Sequence, residues 1–90
     1  MPKTILIVDD EKNTREGLAR ALERQADEVR VAADGEEALA IVREFPVDLV
    51  LTDLKMPRMD GMELLQRLRD EFPDIDVVIL TGHGTVESAV

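Results

Sequence analysis

Hydrophobic and polar positions fall in blocks along this chain of 90 residues. Three blocks are short and almost wholly apolar: Ile5-Leu6-Ile7-Val8, Leu49-Val50-Leu51 and Val77-Val78-Ile79-Leu80. A fourth, Glu28 to Ala32, carries Val29 and Val31. Between them apolar residues recur at helical spacing: Leu18, Ala21 and Leu22, with the stem of Arg15, within Glu11–Gln25; Ala38, Leu39, Ile41 and Val42 within Asp34–Phe45; Met62, Leu64, Leu65 and Leu68 after Asp60. The pattern predicts strands at Thr4–Val8, Glu28–Ala32, Asp48–Thr52 and Asp76–Leu80, alternating with helices, and Thr85–Val90 as the first turns of a fourth helix.

Local signals punctuate the same blocks. Asp34-Gly35-Glu36-Glu37 and Asp60-Gly61-Met62-Glu63 each place an acidic N-cap three residues before a glutamate. Pro46 stops the second helix, and Pro73-Asp74 turns the chain into the last strand. Arg20, Arg24, Arg30, Arg43, Arg67 and Arg69 alternate with acidic residues and read as solvated helix faces with i,i+4 pairs.

Strands alternating with helices imply βαβ units and a parallel sheet with right-handed crossovers. Near-continuous apolar strands imply burial on both faces, so helices cover both sides of a doubly wound α/β sheet. In such sheets ligands bind at the carboxyl ends of the strands. Asp9, Asp10, Asp53 and Thr81 all fall there.

Composition narrows the function. The length allows one small domain, residues 1–90. Hydrophobic residues make up 44% and aromatics 2%, so aliphatic side chains must build the core. Without Trp or Tyr there is no stacking platform for bases, and a net charge of -9 argues against nucleic acid or anionic lipid as partner. The absence of cysteine excludes disulfides and thiolate metal sites. Apolar runs of strand length and no signal-peptide pattern lead to an expected cytoplasmic location without membrane contact.

The candidate chemistry sits at the strand ends. If the first and third strands are parallel neighbours, Asp9, Asp10 and Asp53 converge, and like charges that close resist ionising together unless a cation offsets them. Oxygen-only ligands favour a hard ion such as Mg²⁺. This suggests phosphoryl transfer onto Asp53 as nucleophile, with Asp10 a direct ligand and Asp9 acting through water or charge. Either of Asp9 and Asp10 is also free to cap the first helix. Pro57 stiffens the following loop, placing the Lys55 carbonyl to complete the ligand set. Thr81, beside Gly82 and Gly84, offers a hydroxyl able to bond a phosphoryl oxygen and shift. His83 has no second imidazole or thiolate for a metal site and reads as a loop residue.

Taken together, Ile5-Leu6-Ile7-Val8-Asp9-Asp10-Glu11, Leu49-Val50-Leu51-Thr52-Asp53-Leu54-Lys55-Met56-Pro57, Asp60-Gly61 and Ile79-Leu80-Thr81-Gly82 resemble the receiver domain of bacterial two-component response regulators. The segment Thr81 to Val90 is similar to the NtrC-like branch, whose members activate σ54-dependent transcription. The resemblance implies a flavodoxin-like sheet of order 2-1-3-4. It implies Asp53 as phosphoacceptor, Asp9, Asp10 and the Lys55 carbonyl as Mg²⁺ ligands, Thr81 as switch hydroxyl, and a sensor histidine kinase as phosphohistidine donor. Such a domain is a signalling module that assists its own phosphoryl transfer, not an enzyme. A haloacid dehalogenase-type phosphatase would place the nucleophile in an Asp-x-Asp pattern on the first strand, which Asp9-Asp10 does not match.

The family continues through the rest of a fourth helix, a fifth strand and a fifth helix, and that strand carries its phosphoryl-contacting lysine and an aromatic switch position. The resemblance therefore leads to the expectation that residues 1–90 are a truncated receiver, from the first strand to the start of the fourth helix. Three expectations follow: an unprotected fourth strand at the sheet edge, a half-bare face beside the first helix, and a homodimer or element-swapped oligomer. A frayed stub is expected at Thr85–Val90. The alternative reading is a phosphorylation-impaired fragment serving only assembly.

Overall fold

In the computed structural model, which describes residues 3–80 and 86–88, the elements are β1 (Thr4–Val8), α1 (Lys12–Leu22), β2 (Glu28–Ala32), α2 (Gly35–Glu44), β3 (Leu49–Asp53), α3 (Gly61–Glu71), β4 (Asp76–Leu80) and β5 (Val86–Ser88). β1 is hydrogen-bonded on both sides, to β2 (Ile5 beside Val29) and to β3 (Ile5 beside Leu49), and β4 continues the parallel ladder beyond β3. The parallel part of the sheet therefore runs 2-1-3-4, the order that the family resemblance implies.

Every residue of β1 is buried. Its alternation divides the molecule. Leu6 and Val8, with Ala32, Val50, Val77 and Ile79, point to the side covered by α2 and α3, and pack with Ala38, Leu39, Val42, Leu64, Leu65 and Leu68 in the main core. Ile5 and Ile7 face the other side, under α1, and are also buried. Their register partners on β3, Leu49 and Leu51, and the next pair, Val78 and Leu80, stay half-buried. The expected contrast between a finished face and a half-covered one is present. No residue of α1 is fully buried.

Both predicted caps form. The Asp34 and Asp60 carboxylates accept from the backbone N–H of Glu37 and Glu63, each at 2.8 Å. The two helices also end alike: the Phe45 and Phe72 N–H groups close the last turn on Ile41 and Leu68, and Pro46 and Pro73 follow. The Arg43 guanidinium grips Glu71 through both carboxylate oxygens and ties α2 to α3 across solvent.

Several expectations are corrected. The first helix begins at Lys12 and ends at Leu22 rather than Gln25, and β3 runs from Leu49 through Asp53. Met62 is 48% exposed, because it lies on the α3 face opposite Leu64, Leu65 and Leu68. Arg30 is on a strand, not a helix face: its guanidinium lies 3.6 Å from the Phe45 ring centroid and pairs with Glu28. The largest correction concerns the end of the sequence. Val86–Ser88 forms no helix; it pairs antiparallel with β4, Val86 beside Leu80 and Ser88 beside Val78. The outer edge of β4 offers N–H and C=O groups that Val86–Ser88 can pair with. The edge expected to be bare is thus partly covered, by a strand absent from the predicted order.

Leu68→Ala removes a fully buried side chain and should lower unfolding free energy by about 2–5 kcal/mol. Met62→Ala should change it by less than about 0.5 kcal/mol. Equilibrium denaturation of both variants distinguishes the two sides of α3.

Candidate functional site

The carboxyl edge of the sheet gathers the acidic residues because β1 and β3 are parallel neighbours. The register that sets Val8 beside Thr52 leaves Asp9 and Asp53 at the ends of adjacent strands. One carboxylate oxygen from each of Asp9, Asp10 and Asp53 lies within 4.8 Å of the other two. The three side chains differ in access: Asp9 is buried, Asp53 is half-buried and Asp10 is exposed.

Asp9 is held from several directions. Its N–H donates to the Ala32 carbonyl at 3.1 Å, extending the ladder to β2. Its Oδ1 accepts the Glu11 N–H at 2.9 Å, and its carbonyl accepts from Arg15 Nη1 at 2.9 Å. Asp9 thus serves the entry to α1 and also lies in the acidic cluster. Burial pushes the Asp9 carboxyl above the usual carboxylate range; the Glu11 N–H opposes the rise, and the charges of Asp53, Asp10 and Glu11 add to it. The electrostatic cost of the cluster therefore falls on its most buried member.

Asp53 is fixed by what lies behind it. Leu54 N–H donates to the Leu80 carbonyl at 3.1 Å, and Gly61 N–H donates to the Leu54 carbonyl at 2.8 Å. A Cβ on Gly61 would come 2.5 Å from the Asp53 carbonyl oxygen and 3.0 Å from Leu54 Cα. The glycine is needed so that the start of α3 can press against the backbone of the Asp53 strand end. The buried Thr52 hydroxyl donates to the Asp53 carbonyl at 3.0 Å and contacts Met56 Sδ at 3.9 Å.

Lys55 is exposed in the β3–α3 loop, two residues beyond Asp53. Thr81, Gly82, His83 and Gly84 lie outside the described residues. Thr81 directly follows Leu80, the register partner of Asp53. Arg15 and Gly61 enter the site without having been singled out for it. Arg15 reaches it only because α1 folds back over Asp9, and Gly61 stands in the sequence only as part of the Asp60-Gly61 cap and motif, with no role at the site attached. The donor set, three carboxylates with no nitrogen or sulfur, fits a hard divalent cation. Among the described residues, no helix is long and apolar enough to cross a membrane.

Because folding raises the Asp9 pKa, the folded state binds more protons than the unfolded chain between the ordinary value of 3.8 and the raised one. Asp9 therefore weakens the fold increasingly as pH climbs through that interval, and the loss is complete at neutral pH. Asp9→Asn, which keeps an oxygen for the Glu11 N–H, should raise metal-free stability at pH 7 by roughly 0.5–2 kcal/mol. The gain should vanish below pH 4. Thermal melts in chelator across this pH range check both the size and the sign.

Comparison with known proteins agrees with the architecture. Residues 5–90 match the family model described as "Response regulator receiver domain". The chain is 39% identical over 90 residues to Response regulator MprA of Mycolicibacterium vanbaalenii, covering all of this chain and 39% of that protein. It is 44% identical over 82 residues to Response regulator GtcR of Aneurinibacillus migulanus, covering 91% of this chain and 34% of that protein. The chain thus spans well under half the length of these relatives. Among solved structures, a response regulator receiver domain protein from Clostridium thermocellum superposes with a TM-score of 0.84 at 38% identity, over 91% of this chain and 67% of that one. The response regulator TrrA of Thermotoga maritima, solved in complex with Mg²⁺-BeF, gives 0.83 at 38% identity over 90% and 72%. A parallel 2-1-3-4 sheet with an acidic carboxyl edge, matched along nearly its whole length, places this chain in the family of response regulator receiver domains, the modules of phosphorylation-based signalling.

Proposed function

We propose that this chain is a Mg²⁺-dependent phosphoacceptor, receiving a phosphoryl group on Asp53 from the phosphohistidine of a sensor kinase. The observation that carries the reading is the convergence of Asp9, Asp10 and Asp53 at one sheet edge. In the transfer, a carboxylate oxygen of Asp53 forms the bond to phosphorus as the phosphorus–nitrogen bond to histidine breaks, and the freed imidazole keeps the electron pair. Asp53 is suited to this because it is partly accessible while its backbone is braced by Gly61 and Leu80. Asp9, Asp10 and the Lys55 carbonyl would hold the cation with Asp53. Bound Mg²⁺ would supply neutralising charge to the phosphoryl oxygens. The relative solved in complex with Mg²⁺-BeF supports this assignment.

Thr81 is the proposed switch hydroxyl, supported by its place one residue after the register partner of Asp53. In the whole protein, phosphorylation would bias this switch and control a transcriptional output of the NtrC-like kind, in the cytoplasm. Residues 1–90 would serve as the receiver portion of that protein. A second reading has its own observation: Leu49, Leu51, Val78 and Leu80 remain half-buried on the α1 side. Under it the chain acts through assembly, as a homodimer or element-swapped oligomer covering this face, with a pocket that turns over poorly.

Intact mass after incubation with acetyl phosphate and Mg²⁺ separates the two. The phosphoacceptor reading expects the gain of one phosphoryl group, lost in Asp53→Ala and in chelator. A folded protein that gains no mass overturns it. Sedimentation showing a dimer would then give the assembly reading the lead.

A further inference from the structure

Arg58, in the loop between β3 and α3, has φ 68°, the one positive-φ non-glycine among the described residues. The neighbouring Met59 N–H donates back to the Pro57 carbonyl at 2.8 Å, which makes Pro57-Arg58-Met59 a γ-turn of the rare, strained hand. A conformation of this kind persists only where its surroundings impose it. Two contacts from the start of α2 meet it there, a solvent-screened ion pair and a closer packing contact. Arg58 Nη2 pairs with Asp34 Oδ2 at 3.3 Å, while the other oxygen of Asp34 caps α2. Met59, 6% exposed, lies against Gly35 so closely that a Cβ there would come 2.6 Å from its Sδ and 2.9 Å from its Cγ.

We infer that the Asp34-Gly35 pair is a positioning brace for the cation site. It clamps the strained turn from the N-terminus of α2, and so fixes the short stretch from Asp53 to Pro57 that carries the Lys55 carbonyl. The nearest contacts of a Cβ at Gly35 would all be with the Met59 side chain, from Sδ to Cβ, so Met59 would have to leave its place over the start of α2. Residues that orient ligands from behind typically change metal affinity by 10–100-fold when lost. The inference rests on the phosphoacceptor reading, since it assigns the brace a purpose at that cation.

Calorimetric titration of Mg²⁺ alone into the unmodified chain, Gly35→Ala, Met59→Ala and the double variant tests it, with chelator melts in parallel. Gly35→Ala should weaken Mg²⁺ about tenfold, and adding Met59→Ala should restore most of that loss by removing the clash. Gly35→Ala binding as tightly as the unmodified chain, or a double variant no better than Gly35→Ala, would overturn the brace alone. An unmodified chain that binds no Mg²⁺ would overturn the cation reading and the brace with it. Should Gly35→Ala not fold, Arg58→Gln decides. Removing a cation near an acidic site tightens Mg²⁺ binding through the field alone. A brace predicts weaker binding instead, and tighter or unchanged binding would overturn it.

Discussion

The structure depends on β1 being hydrogen-bonded along both edges and buried on both faces. A strand so placed has no freedom of register: a one-residue slip would exchange Leu6 and Val8 for Ile5 and Ile7 in the main core. Once β1 is fixed between β2 and β3, all three must end at the same edge, because parallel strands share a direction. The crowding of Asp9, Asp10 and Asp53 follows from that geometry. Apolar burial in the sheet holds the carboxylates together against their repulsion; burial first, and the neighbouring charges after it, raise the pKa of Asp9.

Above that edge, the loops are located by close backbone approach more than by charge. Gly61 lets α3 begin directly behind Asp53, and Gly35 lets Met59 settle over the start of α2. Both glycines follow an aspartate N-cap, so each Asp-Gly pair starts a helix and admits a neighbour at the same point. The exposed ion pairs, Arg43–Glu71 across α2 and α3 or Arg67–Glu63 along α3, contribute little by comparison, since solvent screens them.

The two faces of the sheet are finished to different degrees. On the α2–α3 side the interior residues are almost completely shielded, while on the α1 side shielding ends at β1 and leaves the β3 and β4 residues half-open. α1 is set over β1 and β2, and its buried-facing residues are few. The half-open side includes the strand that ends in Asp53 and so borders the acidic edge.

The sequence by itself determined the strand and helix order, both caps, both proline stops and the acidic strand ends. These depend on local periodicity and on residue types whose backbone preferences act within a few positions. Its apolar runs also called for a doubly covered parallel sheet, while the 2-1-3-4 order came from the resemblance of its strand-end motifs to a known family. Tertiary structure alone decided the rest. Val86–Ser88 became a strand because the edge of β4 was open, and nothing in its own pattern says so. Arg30 left the helix-face group to lie over Phe45, a residue fifteen positions away. Arg15 reached the Asp9 carbonyl, and the strained turn at Arg58 came to lie against Asp34 and Gly35, because folding brought loops together that are distant in the chain. Local pattern encodes what a segment prefers; which segments meet, and which preference gives way, is settled by packing.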